Sequence, residues 1–324
     1  MNIAFAGFRH GHAYAMLKDI RNSGADVVAA WESDPQAAIT AKENGVDITH
    51  TDYDRMLKDD GFEIVAVCDY YSARGEKIIK ALESGRHVYS DKPLCTDLRE
   101  LEKIQQLCSQ KKLCVGCMLD LRYTSCAAAA RSAIGKLGRI HNIAFYGQHP
   151  LNYGTRAKWY FEQGKHGGTI NDIAVHGIDL VRYITGLGVE NTLAARCWNA
   201  YALQEPAFKD SAQFMAIMNG GAGLIADVSY SQPYPLGYTP AQNWRFTFWG
   251  ENGIMEFNYA CDYVRLALKN SNEPETVRAD APDSDPFADF LSEIKGSPRE
   301  LNTQQVLKSA GDTMLISQKQ IQSV

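Results

Sequence analysis

The chain has 324 residues, 45% of them hydrophobic, and a net charge of −5 with the two signs interspersed. That length suits two domains with a core each, and the acidic balance without basic blocks excludes a nucleic-acid footprint. No apolar run approaches the ~18 residues that a membrane span needs, which leaves a small molecule as the expected partner.

Residues 1–120 alternate strand and helix. A short buried strand over 3–6 is followed by Ala13, Met16, Leu17 and Ile20 at helical spacing, with Gly24 placed to close the helix. A second strand over 27–31 leads to Asp34-Pro35, an N-cap and first helical residue for a helix ending near Gly45. The pattern repeats through a strand over 64–67, a helix carrying Ile78, Ile79 and Leu82, and a strand over 87–89. An Asp97-Leu98-Arg99-Glu100 capping box and a strand over 113–119 complete it. Such alternation implies a parallel sheet covered on both faces.

Cys114 and Cys117 have redox or zinc spacing, but side chains three apart on a strand point to opposite faces, and no second ligand pair follows, so no metal is expected. The eight cysteines lie mostly in apolar runs and the first residues lack a signal-peptide pattern, which reads as reduced thiols of a cytoplasmic protein.

After residue 120 the texture changes. A helix over about 124–135 leads to a strand near 140–146, an aromatic and basic loop, and the segment Gly167-Gly168-Thr169-Ile170-Asn171-Asp172-Ile173-Ala174-Val175-His176-Gly177-Ile178-Asp179. At helical spacing Asp172, His176 and Asp179 fall within an arc of about 60°, with Tyr183 one turn on, inside an otherwise apolar helix. From about 189 onward come alternating strands with turns at Asn219-Gly220 and Asn252-Gly253, then helices over about 285–296 and 302–323. The fold class is α/β: a Rossmann dinucleotide-binding domain over 1–120 and an α+β domain over 121–324 with a large, mainly antiparallel open sheet. The last helices are free to pack back on the first domain.

The first βα turn reads Gly7-Phe8-Arg9-His10-Gly11-His12. A dinucleotide fingerprint needs glycine here so that the pyrophosphate can approach the helix N-terminus. Gly7 is in register, Arg9 and His12 stand at the second and third glycine positions, and Gly11 lies one place early. Glu32 ends the second strand, where an acidic side chain receives the ribose hydroxyls of NAD, and with Ser33 and Asp34 it disfavours the 2′-phosphate of NADP.

Two motifs in order, about 75 residues apart, carry a family resemblance. Ala81-Leu82-Glu83-Ser84-Gly85-Arg86-His87-Val88-Tyr89-Ser90-Asp91-Lys92-Pro93 is similar to A-L-x-x-G-K-H-V-x-x-E-K-P, with Asp91 for the usual Glu. The 167–179 segment is similar to G-G-x-x-x-D-x-x-x-H-x-x-D. Over essentially its whole length the chain resembles the glucose-fructose oxidoreductase, inositol dehydrogenase and rhizopine-catabolism (Gfo/Idh/MocA) family.

The resemblance implies NAD as cofactor and a sugar, cyclitol or polyol as substrate. It implies Lys92 as the catalytic lysine touching substrate hydroxyl and cofactor ribose, His176 as the proton-transferring histidine, and Asp172 as the carboxylate that holds a substrate hydroxyl. Asp120, implied beside the cofactor, stands near the family's Asn, with Arg122 in register as an implied substrate contact. Asp69, Tyr70 and Tyr71 replace a Thr-Pro-Asn stretch near the cofactor. Trp159 looks like the tryptophan beside the nicotinamide, and Arg156 and Lys158 are candidate substrate contacts. A homodimer or homotetramer through the C-terminal sheet is implied as well. Three readings of activity stay open: net hydride transfer, elimination or glycoside cleavage assisted by tightly held NAD, and a non-catalytic NAD- or sugar-binding regulator. The altered turn also leaves open whether Arg9, His10 and His12 bind the pyrophosphate, displace it, or prepare the site for an anionic substrate.

Overall fold

In a computed structural model that describes residues 1–233, 240 and 243–320, strands β1 (Asn2–Ala6), β2 (Asp26–Trp31), β3 (Ile64–Val67), β4 (His87–Ser90) and β5 (Val115–Cys117) form a parallel sheet in the order β2-β1-β3-β4-β5. Helices α1 (His12–Asn22), α2 (Pro35–Glu43), α3 (Tyr53–Met56), α4 (Arg74–Glu83) and α5 (Leu98–Lys111) connect them. Successive strand residues serve opposite faces: Ala4, Ala6, Val65 and Val67 enter one core, Ile3, Phe5, Ile64 and Ala66 the other. Cys114 and Cys117 divide between those cores in the same way, and all eight cysteines are free. Asp34 caps α2 by accepting from the Ala37 amide.

Helix α6 (Ser125–Ala133) leads into the second sheet, and α7 (Val175–Thr185) lies beneath it. That sheet comprises β6 (Ile140–Pro150), β7 (Val189–Trp198), β8 (Ser211–Met218), β9 (Gly223–Gln232), β10 (Trp244–Gly250), β11 (Gly253–Asn258), β12 (Tyr263–Leu268) and β13 (Glu275–Arg278). Its order is β13-β12-β11-β10-β6-β9-β8-β7, antiparallel throughout except for the β6–β9 pair. The mainly antiparallel sheet expected from the alternating pattern is therefore present. Its inner face buries Phe145, Phe214, Phe246 and Phe248 with Ile178, Val181 and Ile184 of α7. A Cβ at Gly177 would sit 2.4 Å from the Phe145 ring, so only glycine lets α7 come this close to the sheet. Helices α8 (Pro286–Ile294) and α9 (Thr303–Gln318) return to the first sheet, Phe287 and Phe290 packing on Tyr89.

Several local expectations are corrected. The 113–119 strand is regular only over Val115–Cys117, although the Cys114 carbonyl and the Met118 amide still bond to Val88 and Ser90 at 3.0 and 2.9 Å. The capping box stays open: Asp97 accepts from the Arg99 amide, but Glu100 Oε2 finds no partner. The β10–β11 turn falls at Glu251 and Asn252, because Gly253 pairs with Gly250, whereas Asn219-Gly220 lies in the β8–β9 connection as expected. The strand begun at 140 continues to Pro150. The final helix ends at Gln318, and residues 321–323 of the expected helix lie outside the described residues.

Candidate active site

The three motif residues meet at the seam between the two sheets. Lys92 follows β4, and its Nζ donates to the Asp172 carboxylate at 2.6 Å and to the Asp172 carbonyl at 2.9 Å. Asp172 belongs to a π-helical turn, Ile170–Ala174, immediately before α7. Its other carboxylate oxygen accepts from the Tyr230 hydroxyl on β9, which is 2.8 Å from His166 Nε2. Burial alone would push the Asp172 carboxyl up, but Lys92 and His166 override it and hold the group well below the usual carboxylate range.

His176 lies one α-turn along and lines the same cavity of about 210 Å³, with Asp120, Trp244 and Tyr259 beside it. Its Nδ1 is buried without a hydrogen bond, the nearest carboxylate oxygen being Asp120 Oδ1 at 3.5 Å. Burial, reinforced by the Lys92 cation, lowers the imidazole pKa well below its ordinary value. The result is a neutral ring with an unused nitrogen in a polar cavity, a pattern found at reactive sites more often than in packing cores.

Asp179, beyond the π turn, does not line the cavity. Asp179 receives Arg122 in a bidentate pair at 2.6 and 2.5 Å, and Ser309 of α9 adds a third bond. Arg122, expected as a substrate contact, is thereby consumed in tying α7 to the rest of the chain and does not line the cavity. Lys158 is exposed and outside the cavity as well.

The glycine turn divides its side chains. Gly7 adopts φ +89°, and a Cβ there would lie 2.9 Å from the Asp69 backbone. Gly11 is the N-cap of α1 and offers no side-chain cap; the His12, Ala13 and Tyr14 amides donate to His10 Nδ1, the His10 carbonyl and the Gly11 carbonyl at 3.4, 3.1 and 3.3 Å. Arg9 turns toward Glu32 at 3.2 Å and Asp69 at 3.5 Å, donates to Ser33 Oγ at 2.7 Å, and lies over the Tyr70 ring. Glu32 also accepts from the Phe8, Ser33 and Asp34 amides. His10 and His12 point the other way: both Nδ1 atoms bind Asp91, at 2.9 and 2.8 Å, and both rings line the cavity.

Asp91 is fully buried and also accepts from Arg74 at 2.6 Å; burial would raise its carboxyl, but Arg74 and the two histidines hold it well below the usual range. Cys68 Sγ is 3.7 Å from the same carboxylate, so three ligand types converge, with the Arg74 cation supplying the positive charge. His10 Nε2 meets the Tyr160 hydroxyl at 2.7 Å, and Tyr71 joins Tyr160 at 2.6 Å. Trp159 stacks on Tyr160 and donates to the Arg9 carbonyl at 2.9 Å, bringing the aromatic loop onto the glycine turn.

The sequence reading passed over Arg74, His149, Tyr160, His166, Tyr230 and Trp244, all of which line the cavity or brace a residue that does. His166 could have been noticed from its place directly before Gly167, whereas the others become neighbours only through strand pairing and helix packing.

These observations agree with comparison to known proteins. Residues 1–118 match the model of the oxidoreductase family with an NAD-binding Rossmann fold, and residues 127–256 match the GFO/IDH/MocA C-terminal domain. The chain belongs to the Gfo/Idh/MocA family. Levoglucosan dehydrogenase of Pseudarthrobacter phenanthrenivorans is 25% identical over 200 residues, covering 59% of this chain and 50% of that protein. The NAD(+)-dependent scyllo-inositol 2-dehydrogenase of Bacillus subtilis is 25% identical over 206 residues, covering 63% and 58%. The chain thus spans only about half of the length of the curated relatives it matches. Levoglucosan dehydrogenase in complex with NADH and levoglucosan shares the fold at TM-score 0.79 and 18% identity, over 98% of this chain and 96% of that one. Aldose-aldose oxidoreductase from Caulobacter crescentus does so at TM-score 0.74 and 19% identity, over 98% and 97%.

The residues present fit the NAD of this family's Rossmann domain. Gly7, whose positive φ leaves no side chain between the turn and the β3 end, is suited to the pyrophosphate and Glu32 to the adenosine ribose, Arg9 being the side chain that a ribose would displace.

Proposed function

We propose that the protein is an NAD-dependent oxidoreductase acting on a secondary hydroxyl of a sugar, cyclitol or related polyol. The observation that carries this reading is the neutral ring of His176, its Nδ1 side facing Asp120 at 3.5 Å, sharing a cavity with the Lys92–Asp172 pair. Gly7, Gly11 and Glu32 would hold the nucleotide, which when bound supplies the hydride acceptor.

Lys92 has three N–H donors and spends two on Asp172, so one is left to orient and polarise a substrate oxygen. His176, already deprotonated, takes the hydroxyl proton as the alcohol becomes a carbonyl and returns it in the reverse direction. Asp172 holds Lys92 in place, and a substrate hydroxyl can bond to its remaining lone pairs. Asp120, 3.5 Å from His176, is placed to orient the imidazolium once it forms. The exposed Leu193, Met215, Ile225 and Ile254 of the second sheet's outer face mark the surface through which we infer that copies associate.

The test is His176→Asn. Turnover of any polyol that reduces NAD should fall about 10²- to 10⁴-fold, with NAD affinity by calorimetry unchanged. Full activity in that variant defeats the reading. Bound NAD with product release but no net NADH would favour the elimination chemistry instead.

A further inference from the structure

The cavity contains a cation with no counter-charge. Arg156 sits in the loop after β6, where its Nε donates to the Leu151 carbonyl at 2.9 Å and its NH2 to the Pro150 carbonyl at 2.8 Å. The guanidinium lies 4.6 Å over the Tyr160 ring, with NH1 3.5 Å from the Tyr160 hydroxyl. Every one of these partners is neutral. Among the described residues no carboxylate lies within ion-pair distance of Arg156, and the sequence over 234–242 contains no Asp or Glu.

The contrast with the other buried or half-buried cations is consistent. Arg9 has Glu32, Arg74 has Asp91, Lys92 has Asp172, Arg122 has Asp179 and Arg182 has Asp312. A guanidinium anchored by backbone carbonyls, stacked on an aromatic ring and left without an anion is held for one that arrives from outside.

Donor accounting narrows the anion. Of the five N–H groups of a guanidinium, three are spent on Leu151, Pro150 and Tyr160, leaving one on each terminal nitrogen. That remaining fork matches the two oxygens of a carboxylate. A phosphate dianion would call for a second free cation, and the other cationic side chain of the cavity, Lys92, is neutralised by Asp172. We propose that the substrate is a sugar acid, a uronate or aldonate, whose carboxylate is received by Arg156 while its reacting hydroxyl lies at Lys92 and His176. This assignment rests on reading the cavity as the substrate site.

The experiment is calorimetry of the NADH-loaded protein with D-glucuronate and D-gluconate against D-glucose and myo-inositol, at low and high salt, for wild type, Arg156→Gln and Arg156→Lys. At least one acid should bind about 10- to 100-fold more tightly than its neutral counterpart. The preference should weaken with salt, vanish in Arg156→Gln and return in part in Arg156→Lys, with NADH affinity the same in all three proteins. Equal binding of neutral sugars, a preference that survives Arg156→Gln, or a loss of NADH affinity in that variant would each overturn the proposal, the last by assigning Arg156 to the cofactor. Arginine-dependent binding of an acid without turnover would uphold it while removing the dehydrogenase reading. Oxidation of neutral polyols with no preference for acids would do the reverse.

Discussion

Mild acid should unfold this protein through the histidines that its cavity keeps neutral. Burial, as the leading cause, brings His10 and His149 from an ordinary pKa of 6.5 down to about 3, and it lowers His176 in the same direction. The folded rings refuse a proton that the unfolded chain accepts. Stability is therefore complete above pH 6.5 and is lost progressively as the pH falls from there toward 3. Each ring contributes a slope of about 1.4 kcal/mol per pH unit, so His10 and His149 together cost roughly 4 kcal/mol between about pH 6 and pH 4.5. That is a large part of the ~5–15 kcal/mol by which domains are stable. Burial raises the Asp19, Glu100, Asp120 and Asp312 carboxyls, which act with the opposite sign but equally in wild type and a histidine variant, so the comparison of slopes is unaffected. Asp91 and Asp172 are held well below 3.8, so the stability they contribute is present above that value and is lost only at lower pH. Urea denaturation across this pH range should give a steep wild-type slope, and His149→Gln should reduce it by about 1.4 kcal/mol per unit. Parallel slopes for the two proteins would show that the ring is not held neutral and would refute the reasoning.

Two further outcomes follow from buried carboxylates whose partners are now visible. Arg122→Met should destabilise the fold by about 3–5 kcal/mol in urea denaturation, because Asp179 is left buried with Ser309 alone, while KM stays at the wild-type value. A raised KM with little loss of stability would return Arg122 to the substrate. Glu32→Ala should weaken NAD binding about 10-fold and narrow the gap between NAD and NADP, read by calorimetry with each nucleotide; unchanged NAD affinity would mean that Arg9 and not the ribose is the lasting partner of Glu32.

Much of the first sheet was legible because its strands are short, apolar and bounded by helix signals: the strand read over 64–67 is the strand observed, and Asp34-Pro35 opens α2 as read. Errors arose at strand ends. Leu113 and Met118 pack, partly buried, against the two cores flanking the sheet, which a pattern of hydrophobicity cannot distinguish from regular strand membership. At the site, Lys92, Asp172 and His176 were readable from motif spacing. Asp179, on the same stripe by spacing, is taken up by Arg122 and Ser309, partners that helical periodicity does not reveal. Arg74 was invisible for a different reason. A charged residue beginning a helix ordinarily reads as solvated, and its complete burial depends on Asp91, which directly follows β4. His149 and Tyr230 face one cavity only because β6 pairs with β9, a neighbour relation that skips two intervening strands in sequence.

Buried ion pairs are weak evidence for function, since removing both partners in favour of apolar groups is often neutral or stabilising. What separates the pairs in this chain is how many donors and acceptors each has left over. The Arg122–Asp179 pair is closed: two parallel bonds join it, Ser309 takes a further lone pair, and the Glu300 carbonyl lies 3.4 Å from Arg122 NH1. Such a pair locks two helices and has little to offer a ligand. Lys92–Asp172 has the same depth of burial but keeps one ammonium N–H and part of a carboxylate uncommitted at the wall of a cavity, within a site where His176 Nδ1 is also unspent. Leaving such groups unsatisfied costs stability, and a fold that pairs its other buried cations so thoroughly would have closed these too if packing were their only purpose. Arg156 belongs to the same open set. The three residues therefore define, by what each lacks, a ligand with an oxygen for Lys92, a proton for His176 and a negative charge for Arg156.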